Sequence, residues 1–198
     1  MVFFAAIVVC YLIGSILVGP LLAGLFRYDL KKKGSGNPGA TNAFRVIGPL
    51  AGVLVLAGDA FKAWGALAIA ARIAGEDYLP LFGLAVIAGH NWSVFHGFAG
   101  GKGIATSFGL IMVLSPKTLW LLVPGWLGGT VLTGFVSVGS LVAAILLPVA
   151  TSIFYPGRPY LLIFGIGAAL LAIYRHIPNI KLLVRGEENR LFGKGKEE

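Results

Sequence analysis

The sequence is poor in charge and has almost no cysteine. Only 12% of its 198 residues are charged, 57% are hydrophobic, and the mean hydropathy is +0.87. So few polar side chains cannot cover a water-soluble globule of this size, which excludes that class and predicts an integral membrane protein. The lone cysteine, Cys10, excludes an intramolecular disulfide and, inside an apolar segment, is not expected to be catalytic.

The sequence also lacks the motifs of several functional classes. Gly103 follows Lys102 where a Walker A loop needs Ser or Thr, which disfavours nucleotide hydrolysis. The three histidines do not have metal-ligand spacing, and no carboxylate or cysteine lies near His90 and His96, so no metal site is expected. The net charge of +8 lies mainly at span ends, where basic side chains meet lipid headgroups, so nucleic acid is not an expected partner.

Apolar runs of roughly twenty residues predict seven transmembrane helices. They lie at 2–26, 48–74, 79–97, 104–115, 117–135, 138–155 and 159–176. The fourth is short, so we expect it to be tilted, broken or partly inserted, and six spans with this segment re-entrant is the alternative. The predicted fold is an all-α compact bundle in which residues 1–198 form a single membrane-embedded domain.

The basic residues predict an orientation for this bundle. Twelve of the sixteen Lys and Arg residues follow the first, third and seventh spans, three lie on the opposite side, and Lys62 lies within the second span. The positive-inside rule then predicts that the loops after those three spans and the C-terminus are cytoplasmic, with the N-terminus outside. The three loops therefore share one side of the membrane.

The first of these loops, KKKGSGNPGATNAFR at 31–45, has the composition of an anion site. Its glycines let backbone N–H groups converge on an anion, and its hydroxyls and amides add neutral donors. Arg45 supplies a fixed charge with bidentate geometry for a phosphate. The predicted binding residues are Gly34, Ser35, Gly36, Asn37, Thr41, Asn42 and Arg45. A flexible polar linker is the alternative.

The second loop, at 89–106, carries Gly-Gly-Lys-Gly at the predicted start of a helix. Backbone donors and a helix N-terminus can bind an anion, and Lys102 adds a point charge. An imidazole and an amide near a span end are costly unless they are paired or used. The predicted binding residues are His90, Asn91, Gly100, Gly101, Lys102, Gly103 and Thr106. A tight interhelical turn is the alternative.

Polar residues in the third segment and inside the second span complete the pattern. His176 and Asn179 are three residues apart, so on a helix both could point at one ligand. Glu188 is expected to pair with a basic side chain and hold the tail in place, and an amphipathic surface tail is the alternative. Asp59 and Lys62 share one helical face and are expected to neutralise each other and support the site.

These features favour a membrane-embedded enzyme with a phosphorylated substrate. A transporter or channel for an organic phosphate, or a structural membrane protein, is the alternative. Transporters place substrate groups near the bilayer midplane and often show repeats. Here the candidate groups crowd one surface, and the sequence shows no convincing repeat.

The three motifs resemble, in the same order, those of the bacterial acyl-phosphate glycerol-3-phosphate acyltransferases of the PlsY type. They are GSGNPGATN with Arg45, GHNWSVFHGFAGGKGIAT, and His176 with Asn179 and Glu188. The resemblance implies a seven-span inner-membrane enzyme that moves a fatty acyl group from acyl phosphate to the 1-hydroxyl of glycerol 3-phosphate, giving lysophosphatidic acid. It implies no metal or organic cofactor. We expect a functional monomer in membrane lipid, supplied by an acyl-phosphate-producing enzyme.

The resemblance also implies roles for individual residues. The predicted catalytic residues are Ser35, Arg45, Lys102, His176 and Asn179, with Asp59, Lys62 and Glu188 as structural support. The hypothesis is that the two cations neutralise the phosphates, that Ser35 and backbone N–H groups donate to them or to the developing oxyanion, and that orientation supplies most of the rate. Acyl phosphate is a mixed anhydride that needs little activation, and no His has the H-x-x-x-x-D spacing of soluble-type glycerolipid acyltransferases. The proton acceptor is left open between His176 and a substrate phosphate.

Overall fold

The computed structural model describes residues 1–191, and within that range the chain forms ten α-helices and no strand. They are α1 Val2–Gly14, α2 Val18–Leu25, α3 Ala40–Val46, α4 Pro49–Ala74, α5 Leu79–Asn91, α6 Ile104–Leu114, α7 Leu119–Thr133, α8 Val136–Phe154, α9 Pro159–Arg175 and α10 Ile177–Arg185, with 3₁₀ turns at Val94–His96 and Pro116–Thr118. The all-α prediction is confirmed. Lys194 and Lys196, which contribute to the predicted charge bias, lie outside the described residues.

The predicted first span, 2–26, is interrupted between α1 and α2. Pro20 has no N–H group and cannot donate to the carbonyl of Ile16, four residues earlier. That carbonyl instead accepts a hydrogen bond from Lys62 Nζ at 2.7 Å, and the carbonyl of Ser15 accepts one from Ser93 Oγ at 2.6 Å. The break therefore exposes backbone carbonyls that bind one side chain of α4 and one of the segment that follows α5.

Glycine allows neighbouring helices to pack closely. A Cβ atom on Gly109 of α6 would lie 2.5 Å from the carbonyl oxygen of Ala60 in α4, and a Cβ atom on Gly89 of α5 would overlap the carbonyl oxygen of Tyr11 in α1. Small residues at such contacts are the usual means of helix association in lipid, where burial from water gives no driving force. The same packing encloses a buried core around Phe82.

Helix length leaves the predicted count of seven spans unconfirmed. Among the described residues, the segments long and apolar enough to cross a membrane are Val2–Leu25, Pro49–Ala74 and Val136–Phe154, with two more if each bent helix pair counts as one span. Helices α5 and α6 have 13 and 11 residues, or about 20 and 17 Å at the α-helical rise, against a hydrocarbon core of about 30 Å. The axis bends by 119° between α6 and the segment that follows it. The fourth predicted span coincides with the continuous helix α6, and this bend lies at its boundary with the fifth predicted span. A tilted, broken, partly inserted or re-entrant fourth span therefore stays a prediction. The third predicted span, 79–97, ends as an α-helix at Asn91.

The three polar segments meet at one end of the bundle, as their predicted common side requires. Arg45 Nη2 donates to the carbonyl of Asn189 at 3.1 Å, which joins α3 to the tail. Arg175 donates to the carbonyls of Gly100 and Gly101, which joins the end of α9 to the loop before α6. The candidate site lies among these contacts.

Candidate active site

The first loop is shaped by the buried side chain of Asn42, in the first turn of α3. Its Oδ1 accepts a hydrogen bond from the N–H of Ser35 at 2.8 Å, and its Nδ2 donates to the carbonyls of Leu30 and Lys33, both at 3.1 Å. Gly34 has a φ of +62°, and a Cβ atom there would overlap Asn42 Oδ1, so the position requires glycine. Both amide hydrogens are used within the loop. Asn42 therefore holds the loop in shape and does not have a free donor for the phosphate contact that the sequence predicts.

Helix α3 carries Arg45 from this loop towards the tail. Asn37 Oδ1 accepts a hydrogen bond from the N–H of Gly39 at 2.8 Å, an Asx turn that begins α3, and Arg45 lies in the last turn. The Arg45 guanidinium donates through Nη2 to Asn189, whereas its buried Nε has no partner among residues 1–191. Because buried polar groups are normally paired, this guanidinium has hydrogen-bonding capacity left for an anionic ligand.

The glycine-rich loop lies between two side chains that determine its geometry. On one side, the N–H of Gly101 donates to the carbonyl of His90 at 3.0 Å, and a Cβ atom on Gly101 would overlap His90 Nε2. On the other side, Arg175 Nε donates to the carbonyl of Gly101 at 2.9 Å and Arg175 Nη2 to that of Gly100 at 2.8 Å. The loop backbone is therefore held by α5 and by the end of α9.

Lys102, the next residue, is a half-buried cation that has no partner among residues 1–191. Its ammonium makes no hydrogen bond or ion pair within the described part of the chain. Burial lowers the pKa of Lys102 to about 8; attraction to Glu188 opposes this shift, and the charges of Arg45 and Arg175 add to it. A phosphate beside Lys102 would favour the charged form and raise that pKa again.

Two residues of the second motif lie behind this loop. Asn91 and Thr106 are fully buried, and neither the Asn91 amide nor the Thr106 hydroxyl has a hydrogen-bond partner among the described residues. A Cβ atom on Gly103, where φ is +78°, would lie 2.8 Å from Asn91 Oδ1. Neither residue lines the two cavities described below. The structure thus places Asn91 and Thr106 in the packing around the loop, outside the binding position that the sequence predicts for them.

Asp59 and Lys62 form an ion pair that also includes His90. Lys62 Nζ lies 2.7 Å from Asp59 Oδ1, 2.7 Å from the carbonyl of Ile16 and 2.9 Å from His90 Nδ1. An ammonium has three hydrogens and no lone pair, so His90 Nδ1 accepts, and its other nitrogen carries the proton. His90 is thereby fixed against Gly101. Its contacts are those of a support for the loop, whereas the sequence predicts a direct binding residue.

In the third segment, His176 joins α9 to α10 and Asn179 lies in the first turn of α10. His176 Nδ1 lies 2.7 Å from the carbonyl of Ala172, and because a carbonyl only accepts, this nitrogen carries a hydrogen. In the neutral ring, Nε2 is then unprotonated. Asn179 Nδ2 donates to both carboxylate oxygens of Glu188, at 2.8 and 3.0 Å. Glu188 thus pairs with an amide, where the sequence predicts a basic partner.

Two cavities of opposite character meet at these residues. An apolar cavity of about 430 Å³ extends between α6, α7, α8 and α9, and a polar cavity of about 830 Å³ lies between the first loop, the glycine-rich loop and α10. Lining the apolar cavity are Thr41, Asn42, Arg45, Asp59, His90, Gly103 and His176, and lining the polar cavity are Gly34, Gly36, Gly100 and Arg175. The residues that line both are Ser35, Asn37, Lys102, Asn179 and Glu188. A ligand in one cavity can therefore reach a ligand in the other at this shared wall.

Sequence reasoning missed Arg175 as a residue of the site. From the sequence, Arg175 counts only as one of the basic residues that follow the seventh predicted span. Its position next to His176 is the one signal that could have identified it. Among residues 1–191, no group of three or more His, Cys, Asp or Glu side chains is placed to hold a metal ion.

The sequence is similar to a family of known proteins over most of its length. Residues 4–186 match the family described as glycerol-3-phosphate acyltransferase. Glycerol-3-phosphate acyltransferase 2 of Moorella thermoacetica is 41% identical over 190 residues, covering 94% of this chain and 96% of that protein. Glycerol-3-phosphate acyltransferase of Desulforamulus reducens is 41% identical over 187 residues, with 93% of each protein covered.

Solved structures give the same likeness at the level of the fold. The glycerol 3-phosphate form of PlsY, an integral membrane glycerol 3-phosphate acyltransferase, superposes with a TM-score of 0.87 at 38% identity and covers 96% of both chains. Its lysophosphatidic acid form has a TM-score of 0.86 at 37% identity, with 96% of this chain and 95% of that one covered.

Proposed function

The chain belongs to the glycerol-3-phosphate acyltransferase family, and on that premise we propose that it transfers a fatty acyl group from acyl phosphate to the 1-hydroxyl of glycerol 3-phosphate. The product is lysophosphatidic acid, made in the first step of bacterial phospholipid synthesis. The observation that carries the proposal is the shared wall between an apolar and a polar cavity. The fatty chain of the donor suits the apolar cavity, and glycerol 3-phosphate suits the polar one.

Charge supports two phosphate groups at this wall. Arg45 lines the apolar cavity, and Lys102 lines both cavities without a protein partner among the described residues. Arg45 then neutralises the phosphate of the donor, and Lys102 lies between the two phosphates. Ser35 and backbone N–H groups of the first loop donate to a phosphate or to the oxyanion that develops on the acyl carbonyl. Orientation of the two substrates supplies most of the rate.

The chemical step is an acyl transfer between two oxygens. The 1-hydroxyl oxygen attacks the acyl carbonyl carbon, the bond from that carbon to the phosphate oxygen breaks, and phosphate leaves. The hydroxyl proton goes to His176 Nε2 or to a phosphate oxygen. Either route is open to a neutral His176 that donates through Nδ1 to Ala172.

The activity would take place in the bacterial inner membrane. The sequence supports seven spans, an outer N-terminus, and a cytoplasmic C-terminus and active site. Residues 1–198 would act as a single domain and as a monomer in lipid, supplied by an enzyme that produces acyl phosphate. Because Cys10 is the sole cysteine and is buried, Lys31→Cys and Arg158→Cys can report the orientation. A membrane-impermeant thiol reagent on intact cells should label Cys at 158 and leave Cys at 31 unlabelled; the reverse pattern would overturn the orientation.

Acyl transfer by the purified protein tests the reaction. We would supply labelled glycerol 3-phosphate with palmitoyl phosphate or palmitoyl-CoA, and compare Arg45→Ala with Arg185→Ala as a matched control on exposed α10. Lysophosphatidic acid from palmitoyl phosphate alone, lost only in Arg45→Ala, supports the proposal. Product from palmitoyl-CoA alone would overturn the donor, and no product from either donor would favour transport.

His176→Gln tests the proton acceptor. Gln keeps a donor for the Ala172 carbonyl but has no basic nitrogen. Retained transfer would exclude His176 as the base and favour a phosphate oxygen. A loss of about 10²–10⁴-fold would support general base catalysis.

A further inference from the structure

Arg175 makes two directional contacts with the backbone of the glycine-rich loop. Its Nε and Nη2 donate to consecutive carbonyls, those of Gly101 and Gly100, at 2.9 and 2.8 Å. A planar guanidinium has a fixed fork of donors, so it fixes both the distance and the angle of two acceptors. Lysine, with one ammonium on a flexible stem, cannot reproduce that geometry.

These contacts determine where the N–H groups of the loop point. In a trans peptide the carbonyl of one residue and the N–H of the next point in opposite directions. Because Arg175 holds the carbonyl of Gly100, the N–H of Gly101 points the other way and donates to the carbonyl of His90. Because it also holds the carbonyl of Gly101, the N–H of Lys102 is turned away from Arg175. Arg175 thus orients the backbone that leads directly into Lys102, whose ammonium has no partner within the described part of the chain.

The guanidinium is itself held in position. Its carbon lies 5.6 Å from the centroid of the Trp92 ring, in cation–π contact. Trp92 in turn packs against Tyr174, with ring centroids 5.9 Å apart, and its carbonyl accepts a hydrogen bond from the Tyr11 hydroxyl at 2.6 Å. Arg175 thus contacts the Trp92 ring directly after α5, and Trp92 is in turn held by Tyr11 of α1 and Tyr174 of α9.

We propose that Arg175 is a positioning residue for the acyl-transfer reaction, and that its fork holds the glycine-rich loop in the form that binds the phosphate of glycerol 3-phosphate. The proposal rests on the proposed function of this loop. It differs from a role as one more positive charge in the polar cavity, which Arg175 also lines. The fork geometry distinguishes the two, because Lys keeps the charge and loses the geometry.

Arg175→Lys and Arg175→Met test this proposal. Arg158, exposed at the opposite end of α9, gives the matched controls Arg158→Lys and Arg158→Met. The measurements are KM for glycerol 3-phosphate and kcat at saturating palmitoyl phosphate, hydrogen exchange of the amides at 100–103, and thermal unfolding in detergent.

We expect both Arg175 variants to raise KM at least about tenfold, with a smaller change in kcat, and to accelerate amide exchange in the loop. The Arg158 variants should match the unmodified protein. Wild-type KM in Arg175→Lys, with a raised KM in Arg175→Met, would show that charge alone matters. Unchanged loop exchange in both variants would also overturn the proposal.

The role of Arg175 can still be tested if one variant does not fold or if the proposed acyl donor is wrong. If Arg175→Met does not fold, KM for glycerol 3-phosphate and amide exchange in the loop are compared between Arg175→Lys and the unmodified protein, and this comparison tests the proposal. If the unmodified protein uses another acyl donor, the proposed donor fails, but KM for glycerol 3-phosphate and loop exchange with that donor still test Arg175.

Discussion

Lys62 and Lys102 lie in the same bundle, with the Lys62 side chain buried and Lys102 half-buried, and their surroundings differ. The ammonium of Lys62 forms an ion pair with Asp59 and hydrogen bonds with the carbonyl of Ile16 and with His90. The ammonium of Lys102 has no hydrogen bond or ion pair among residues 1–191, and it lies at the wall that both cavities share. A buried charge that is neutralised by a protein carboxylate and hydrogen-bonded to protein groups belongs to the scaffold. A half-buried charge without a protein partner, at a cavity wall, marks a position at which a ligand can supply one.

Removal of the partner of Lys62 gives the largest expected effect. Asp59→Asn leaves an uncompensated ammonium in the core and should lower the free energy of unfolding by about 3–5 kcal/mol. The double variant Asp59→Asn with Lys62→Met should lose less than the single variant, because it removes the unpaired charge. Denaturant titration in detergent measures both, and a double variant less stable than Asp59→Asn would contradict the assignment of Lys62 to the scaffold.

Removal of Lys102 should reduce activity without reducing stability. Lys102→Met removes the cation at the shared wall and should reduce acyl transfer about 10²–10³-fold. Thermal unfolding should not shift downward, because no protein group loses a partner. Lys102→Arg, which keeps the charge, is the control. If Lys102→Met retained activity and unfolded at a lower temperature, Lys102 would have a structural role like that of Lys62.

Gly101→Ala tests the contact between the two regions. Its Cβ would overlap His90, which Lys62 holds in place, so ring or loop has to move at a cost of about 1–3 kcal/mol. If the loop moves, KM for glycerol 3-phosphate should rise about 10–100-fold. Gly65→Ala, with open space around its Cβ in α4, is the matched control. An unchanged KM in Gly101→Ala would show that the contact between His90 and Gly101 does not affect binding of glycerol 3-phosphate by the loop.

A change of pH should give the smallest of these effects, because it alters the charge of Lys102 without replacing a side chain. Since the pKa of Lys102 is lowered to about 8 by burial, its charge is present below that pH and is lost above it. The charged fraction falls from about nine-tenths at pH 7 to about one-tenth at pH 9, so KM for glycerol 3-phosphate should rise about tenfold over this range. The substrate phosphate, with a second pKa near 6, changes little there. Lys102→Arg should abolish the rise; a rise that persists would belong to another group.

Much of the site could be read from the chain because its residues are close in sequence. The predicted binding residues of the first loop, from Gly34 to Arg45, lie within twelve positions, and Gly100 to Lys102 are contiguous. Glycine beside a cation is an informative pattern, since backbone N–H groups bind anions only where side chains leave room. The Asp59 and Lys62 pair follows from helical spacing in the same way.

The remaining contacts join residues that are distant in sequence. Arg175 contacts carbonyls 74 and 75 residues away, and Lys62 contacts His90 28 residues away. Asn42 is predicted to bind phosphate because its amide is a neutral donor, and His90 because an imidazole near a span end is costly unless it is paired or used. In the fold, the Asn42 amide binds the first loop and its flank, and His90 contacts Lys62.

The sequence by itself determined that this is an all-α membrane protein whose polar residues gather in three segments, because hydropathy and local motifs need no partner elsewhere in the chain. Only the tertiary structure decided which of those polar groups are used up by the protein and which are left for a ligand. Whether a donor or acceptor is already paired depends on all its neighbours in space, including those distant in sequence. Lys62 and Lys102 have the same side chain, and their surroundings make one part of the scaffold and the other part of the candidate site.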